Sequence, residues 1–269
     1  MISAAQQQQY LDRLGLTNLA KNQSELLTEL HLAHLMKLPF ENLDITFGRP
    51  IKLTQADIYH KLIIQQRGGF CYELNYGFYV LLTSLGFNVQ LLSARVCHGE
   101  DYSEEFSHLL LLVELSNGHV IADVGFGDSF NTPLVLDGSI LTEPHAMHKI
   151  VSEDNHYILL KRQNTPDWQP QYRFTTVPRQ LSDFEPMANY HQTSPESIFT
   201  RKTACSMVTD NGRITLSNNK LITTEHDQKT EITIENAQHF RALLQQYFKV
   251  TLPDRFQVDE WFRKIVEST

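Results

Sequence analysis

The sequence predicts an α+β protein, and three observations predict it. Apolar residues recur at helical spacing up to residue 86, the runs that follow are β-rich and broken by turn residues, and two helical stretches close the chain after an Asn-Gly hairpin signal. The first helix begins after Asn22, where Glu25 offers a reciprocal cap. Leu26, Leu27, Leu30, Ala33 and Leu35 form its apolar stripe, and Pro39 stops it. A second helix starts at Thr54, capped with Asp57, and runs through Ile58, Leu62 and Ile63 to the pair Gly68 and Gly69. A third follows at once. Leu74, Phe78, Leu81, Leu82 and Leu85 recur at helical spacing from Cys71 onward, and Gly86 stands where a left-handed cap is wanted.

Beyond Gly86, residues 89–96, 108–115 and 119–124 read as strands, the last two joined by the turn residues Ser116, Asn117 and Gly118. They predict an antiparallel sheet or small barrel. Further strands are expected at 157–161 and 172–176. Asn211 and Gly212 mark a hairpin between 205–209 and 213–216, and helices are expected near 237–248 and 259–267. No internal repeat is present, and the glutamines at 6–9 read as a helix surface.

With 269 residues, 41% hydrophobic and 20% charged, the chain can bury a substantial core. Its 23 basic and 31 acidic side chains give a formal net charge of −8, which argues against a binder of nucleic-acid phosphates. The opening MISAAQQQQYLDRLG has neither a basic nor an apolar targeting region, and the longest aliphatic stretch, 109–113, is too short to span a bilayer. A cytoplasmic protein without membrane partners is the expectation. Three cysteines, Cys71, Cys97 and Cys205, are too few and too odd a set for a disulfide framework, so an important one would be a free thiol.

The segment RGGFCYELN at 67–75 places Cys71 at the first turn of a helix, just after two glycines and Phe70. Unpaired backbone N–H groups and the positive end of the helix dipole favour an anion there, and glycines let a substrate approach closely. The bland alternative is a small buried apolar residue. A nucleophile needs a base. His108 heads the strand HLLLLVEL, and Asp123 lies one strand and a tight turn further on, in IADVGFGD. Should the two share a face, the carboxylate orients the imidazole and stabilises its cation. Taken singly, His108 reads as a strand-end histidine and Asp123 as a turn cap; their conjunction with Cys71 changes the balance.

With these motifs, the chain resembles the arylamine N-acetyltransferases. Four separated segments carry the likeness in order: PFENLDI at 39–45, RGGFCYELN around Cys71, HLLLLV from His108 and DVGFG at 123–127, with a looser fifth, ANYHQTSPESIF, at 188–199. The resemblance implies a triad of Cys71, His108 and Asp123. It also implies an N-terminal helical bundle carrying the cysteine (1–86), a central antiparallel β-barrel carrying His108 and Asp123 (87–190), and an interdomain segment with a C-terminal α/β lid (191–269), with the triad arranged as in cysteine proteases. It implies acetyl transfer from acetyl-coenzyme A to arylamines, arylhydrazines or N-hydroxyarylamines by a ping-pong route through acetyl-cysteine, without a metal, in a monomer or homodimer.

In that scheme Arg67 and Glu41 brace the loop before the cysteine, Phe126 and Phe70 wall the amine pocket, and Gly125 and Gly127 offer N–H groups to a coenzyme A phosphate. Asp128 departs from relatives that carry a basic residue there. His31 and His34, three apart on a helix, show no third metal ligand, and His145 and His148 are no better supported. Two other enzyme readings use the same residues: an amide synthase of the kind that closes macrolactams, and a cysteine-triad hydrolase. A non-catalytic binding protein would not need all three.

Overall fold

The computed structural model describes residues 2–226 and 228–267. A helix before those expected, α1 (Ala4–Leu14), is capped by Ser3 and Gln6 and carries the glutamine run. Then come α2 (Gln23–Lys37), the two-residue β1 (Phe40–Glu41), and the short α3 (Leu43–Thr46) and α4 (Gln55–Tyr59). The helix expected from Thr54 changes character after Tyr59. A wider π turn, His60–Ile64, continues it, and Lys61 on that turn is buried. Helix α5 (Cys71–Ser84) starts at the cysteine and ends before Gly86, whose φ of 87° is the left-handed conformation a glycine accepts freely.

Nine strands form the central sheet: β2 (Asn88–His98), β3 (Asp101–Tyr102), β4 (His108–Leu115), β5 (Gly118–Ala122), β6 (Leu134–Val135), β7 (Leu141–Thr142), β8 (Met147–Glu153), β9 (His156–Arg162) and β10 (Gln169–Phe174). Their order, β6-β5-β4-β2-β10-β9-β8-β7 with β3 beside β2, curls antiparallel into a nearly closed barrel. Strand β4 explains why its sequence does not alternate. Leu109, Leu111 and Val113 join the core shared with the helices, while Leu110 and Leu112 join the barrel interior, so both faces are covered. His108 has the parity of the barrel face.

After a 3₁₀ turn at Leu181–Phe184 come α6 (Glu185–Thr193) and α7 (Ile198–Arg201). They lead to the meander β11 (Ala204–Thr209), β12 (Gly212–Ser217), β13 (Lys220–Glu225) and β14 (Gln228–Thr233), and then to α8 (Ala237–Leu243) and α9 (Val258–Glu267). Strand β1 completes this sheet, pairing Phe40 with Ser206 and Glu41 with Cys205. Leu43 and Phe47 extend the same core, whereas Phe184 and Ala188 pack back into the helical core. The hydrophobic cores therefore draw on residues from distant stretches of the chain.

Asn42 is the pin between them. Its Nδ2 donates to the carbonyls of Phe199 (2.9 Å) and Lys202 (2.7 Å), and its Oδ1 accepts from the Ala204 amide at 2.7 Å, the Asn42 side chain itself being without exposure to water. Losing these three bonds removes the side-chain tie between β1 and the segment before β11, so Asn42→Ala should lose about 3 kcal/mol at roughly 1 kcal/mol per bond, read as a lower urea midpoint.

Candidate active site

Two chain segments far apart in sequence are stitched together beneath Cys71. Gly69 donates to the Pro39 carbonyl (3.2 Å) and accepts from the Glu41 amide (2.8 Å), and a Cβ at Gly68 would stand 1.9 Å from the Pro39 oxygen. The glycines are thus required by a backbone crossing. Charges lock it. Both Nε and Nη2 of Arg67 donate to Glu41 Oε1 (2.9 and 2.6 Å), and its Nη1 reaches Asp44 at 3.2 Å. Lys61 bridges Asp44 (2.7 Å) to Glu73 (2.9 Å), and Glu73 Oε2 also accepts the Phe70 amide at the start of α5.

This five-charge cluster ties PFENLDI to the helix that carries Cys71. Burial, reinforced by Asp44 and Glu41 and opposed by Lys61, pushes the Glu73 carboxyl up to about 7. The expected brace of Arg67 and Glu41 is one part of it. Lys61, Asp44 and Glu73 went unnoticed in the sequence, although each is a charge set inside an apolar stretch.

Cys71 is 3% exposed and lies against the Gly125 backbone, where a Cβ would come within 2.9 Å of the cysteine Cα and carbonyl oxygen. The chain can turn past the thiol only with glycine there. His108 Nε2 stands 2.7 Å from Asp123 Oδ2, and the Cys71 thiol lies within electrostatic reach of the ring. Burial alone would pull this imidazole down, but the Asp123 charge and hydrogen bond, together with Cys71, carry it up to about 10. Burial likewise disfavours the Asp123 carboxylate; the His108 charge and hydrogen bonds from His108, Asn75 and Gly125 outweigh it and hold the group below its ordinary range.

Residues to which the sequence assigned no part in the triad fix this carboxylate. Asn75, one turn after Cys71 on α5, donates to Asp123 Oδ1 (2.9 Å) and the Leu109 carbonyl (2.6 Å), and accepts the Val124 amide at 2.9 Å. Its spacing of four from Cys71 was the available signal. His31 accepts the Asp123 amide at Nε2 (3.1 Å) and donates Nδ1–H to the Asn131 carbonyl (2.9 Å), which defines a neutral tautomer; burial lowers its basicity accordingly. His34 pairs with the Tyr10 hydroxyl at 2.9 Å. Among the described residues no cluster of three or more His, Cys, Asp or Glu side chains could hold a metal ion. The Tyr172 ring lies 5.3 Å from His108 and 5.0 Å from Phe126, and its hydroxyl is within electrostatic reach of Asp123.

Phe126 is half-buried, its ring edge-on to His108 at 5.1 Å, so it borders the space in front of the imidazole. Phe70 does not line that space. It has no exposed surface and packs edge-on against Tyr72 at 4.9 Å, so its expected place in a ligand wall is corrected to packing under the cysteine. The Gly125 assignment also needs correction, because its N–H is committed to Asp123 Oδ1 at 3.0 Å and is not free for a phosphate. Gly127, at φ 89°, has open space around its Cα. Asp128 is held by Lys161 at 2.8 Å and by Arg213 of β12 at 3.6 Å, joining the turn to the C-terminal sheet. A cavity of about 720 Å³ opens between the loop before β4 and helices α6 and α7, with Ser107 and His191 in its wall.

Comparison with known proteins places this geometry in context. Residues 24–257 match the family model described as N-acetyltransferase. The arylamine N-acetyltransferase of Escherichia coli K12 is 33% identical over 260 residues, covering 93% of this chain and 92% of the relative. Among solved structures, the arylamine N-acetyltransferase of Salmonella typhimurium superposes with a TM-score of 0.89 at 28% identity, covering all of both chains. The coenzyme A complex of the Mycobacterium marinum enzyme superposes with a TM-score of 0.87 at 26% identity, covering 96% of this chain and 98% of that one.

Two outcomes follow from the site's geometry. The folded pKa of His108 is raised from 6.5 to about 10, so the stability it contributes is complete below pH 6.5 and is lost as pH rises through 10. The urea midpoint of the native protein should fall relative to that of His108→Gln across this window; parallel curves would refute the ion pair. Gly125→Ala, forced against the Cys71 backbone, should lose about 1–3 kcal/mol in the same assay.

Proposed function

Because the chain belongs to the arylamine N-acetyltransferase family of acyltransferases, we propose that it carries acetyl groups from acetyl-coenzyme A to the nitrogen of arylamines, arylhydrazines or N-hydroxyarylamines, in two steps through an acetyl-cysteine at Cys71. The observation that carries this reading is the buried line of Cys71, His108 and Asp123, with 2.7 Å between the imidazole and the carboxylate.

His108 takes the Cys71 proton, and the thiolate attacks the thioester carbonyl. The tetrahedral oxyanion forms at the start of α5, where the Cys71 N–H is a donor. Collapse breaks the carbonyl–sulfur bond, and the leaving thiolate takes the proton back from His108. An arylamine, uncharged near neutral pH, then attacks the acetyl-cysteine, gives its proton to His108 and releases Cys71. Thioester exchange is nearly isoenergetic and amide formation from a thioester is downhill, so the cysteine divides one hard reaction into two easier ones. Asp123 holds His108 in one tautomer and stabilises its cation. Phe126 offers the acceptor an aromatic wall, and Gly127 keeps a backbone donor at the turn. A cytoplasmic setting suits both substrates.

Incubation with acetyl-coenzyme A alone, followed by intact mass and peptide mapping, should find one acetyl group on Cys71 that an arylamine then removes as N-acetyl product. Cys71→Ala should form no adduct while keeping its stability, and Asp123→Asn should slow acylation by about 10⁴-fold. An adduct that drains to water equally fast with and without amine would make the protein a hydrolase instead.

A further inference from the structure

The residue after the cysteine ties helix α5 to the strand that carries the imidazole. Tyr72 has no exposure to water, and its hydroxyl donates to the carbonyl of Phe106 at 2.7 Å, two residues before His108. Three residues along the same face of α5, Asn75 donates to the Leu109 carbonyl at 2.6 Å, one residue after His108. The imidazole is therefore bracketed by two bonds from the helix that begins with Cys71. The Tyr72 ring is itself fixed, edge-on to Phe70 at 4.9 Å, tilted against Phe184 at 5.7 Å and stacked on His191 at 6.1 Å. Burial, to which the charge on Cys71 adds, pushes its phenol well above the ordinary value, so the hydroxyl stays a donor.

The peptide that Tyr72 holds is strained. Phe106 has a φ of 66°, in the left-handed region that a bulky side chain adopts only when its surroundings compel it. Its N–H donates to Ser93 Oγ at 2.8 Å, its ring stands edge-on to Phe184 at 5.3 Å, and the Arg179 guanidinium lies over that ring at 5.2 Å. Through this residue the chain leaves the turn before β4, whose first residue is His108. The ladder with β2 fixes β4 within the sheet. Apolar packing between sheet and helix is not directional, so it tolerates small slides that hydrogen bonds from α5 to the strand do not.

We propose that Tyr72 is a positioning residue for acyl transfer: its hydroxyl holds the Phe106 peptide in the left-handed conformation and thereby sets the His108 ring against the Cys71 thiol. This role rests on the acetyl-transfer reading above. Proton transfer between sulfur and nitrogen runs over hydrogen-bond distances, and a displacement of about 1 Å at such a pair costs about 100-fold in rate. Tyr72, without exposed surface, meets neither donor nor acceptor. Loss of its hydroxyl therefore slows the chemistry on every donor alike and leaves substrate binding as it was.

Tyr72→Phe keeps the ring packing and removes only the hydroxyl. It should lower the maximal rate of Cys71 acylation about tenfold with acetyl-coenzyme A and with p-nitrophenyl acetate alike, the loss expected for one hydrogen bond, while binding of free coenzyme A measured by calorimetry does not change. The pH profile of Cys71 alkylation by iodoacetamide should move toward that of His108→Gln, a change that a merely less stable fold would not produce. Ser93→Ala frees the N–H of the same Phe106 peptide and should move both readouts in the same direction. Native acylation rates and a native alkylation profile in Tyr72→Phe, with only a lower urea midpoint, would overturn the positioning role. So would a loss confined to acetyl-coenzyme A and matched by weaker coenzyme A binding, which would make Tyr72 a determinant of donor binding. Alkylation needs no acetyl donor, so its profile tests Tyr72 independently; absence of any Cys71 adduct in the native protein from either donor would instead overturn the reading on which the role rests.

Discussion

A carboxylate with no exposure to water is the constraint on which the rest of this structure depends. Asp123 would be prohibitively costly where it sits were it not surrounded by donors: the His108 ring at one oxygen, and the Asn75 amide and Gly125 N–H at the other. Each donor comes from a different element, so satisfying one carboxylate aligns β4, the end of β5 and α5. His31 extends the set by fixing the Asp123 backbone to the Asn131 carbonyl from the far side. Removing one donor would leave charge or polarity uncompensated, which costs more than the bond itself is worth. The imidazole facing Cys71 is oriented and made basic by the same arrangement.

The second charged cluster works by the same logic at the very start of α5. Glu41, Asp44, Lys61, Arg67 and Glu73 are nearly or wholly buried, and each depends on the others for its solvation. Such clusters are poor sources of net stability but severe on alternatives, because any register that separates them strands a charge in the core. Here the register in question sets where α5 begins relative to β1, and hence where Cys71 stands relative to Asp123. The π turn at residues 60–64 belongs to this requirement, since it delivers Lys61 to the carboxylates from a helix that is otherwise apolar on that side.

Close backbone approach completes the frame. Gly68 passes Pro39 and Gly125 passes Cys71 at distances that no side chain tolerates, so two glycines far apart in sequence mark the contacts that set the floor and wall around the thiol. The strand HLLLLVEL adds rigidity by burying both faces, one against the helices and one inside the barrel. A site mounted on such a strand varies little in position, and that suits a reaction in which proton transfers run over hydrogen-bond distances.

What the sequence determined by itself was the order of element types and the residues fit for chemistry. Helical spacing, the change of period after Gly86 and the Asn211-Gly212 turn are local signals, and local backbone physics suffices to read them. Cys71 after Gly-Gly, His108 at a strand head and Asp123 after a strand end were legible because each stands at the terminus of an element. Phe70 and Gly125 were misread for a related reason: adjacency along the chain says nothing about which face is open or where an N–H points. Tertiary structure alone decided that β1 joins the C-terminal sheet, that Asn75 and His31 hold Asp123, that Lys61 serves three carboxylates and that His191 stacks on Tyr72. These contacts join residues separated by tens to more than a hundred positions. Their energy comes from satisfying groups that become buried only once the chain has folded, so no local pattern can announce them.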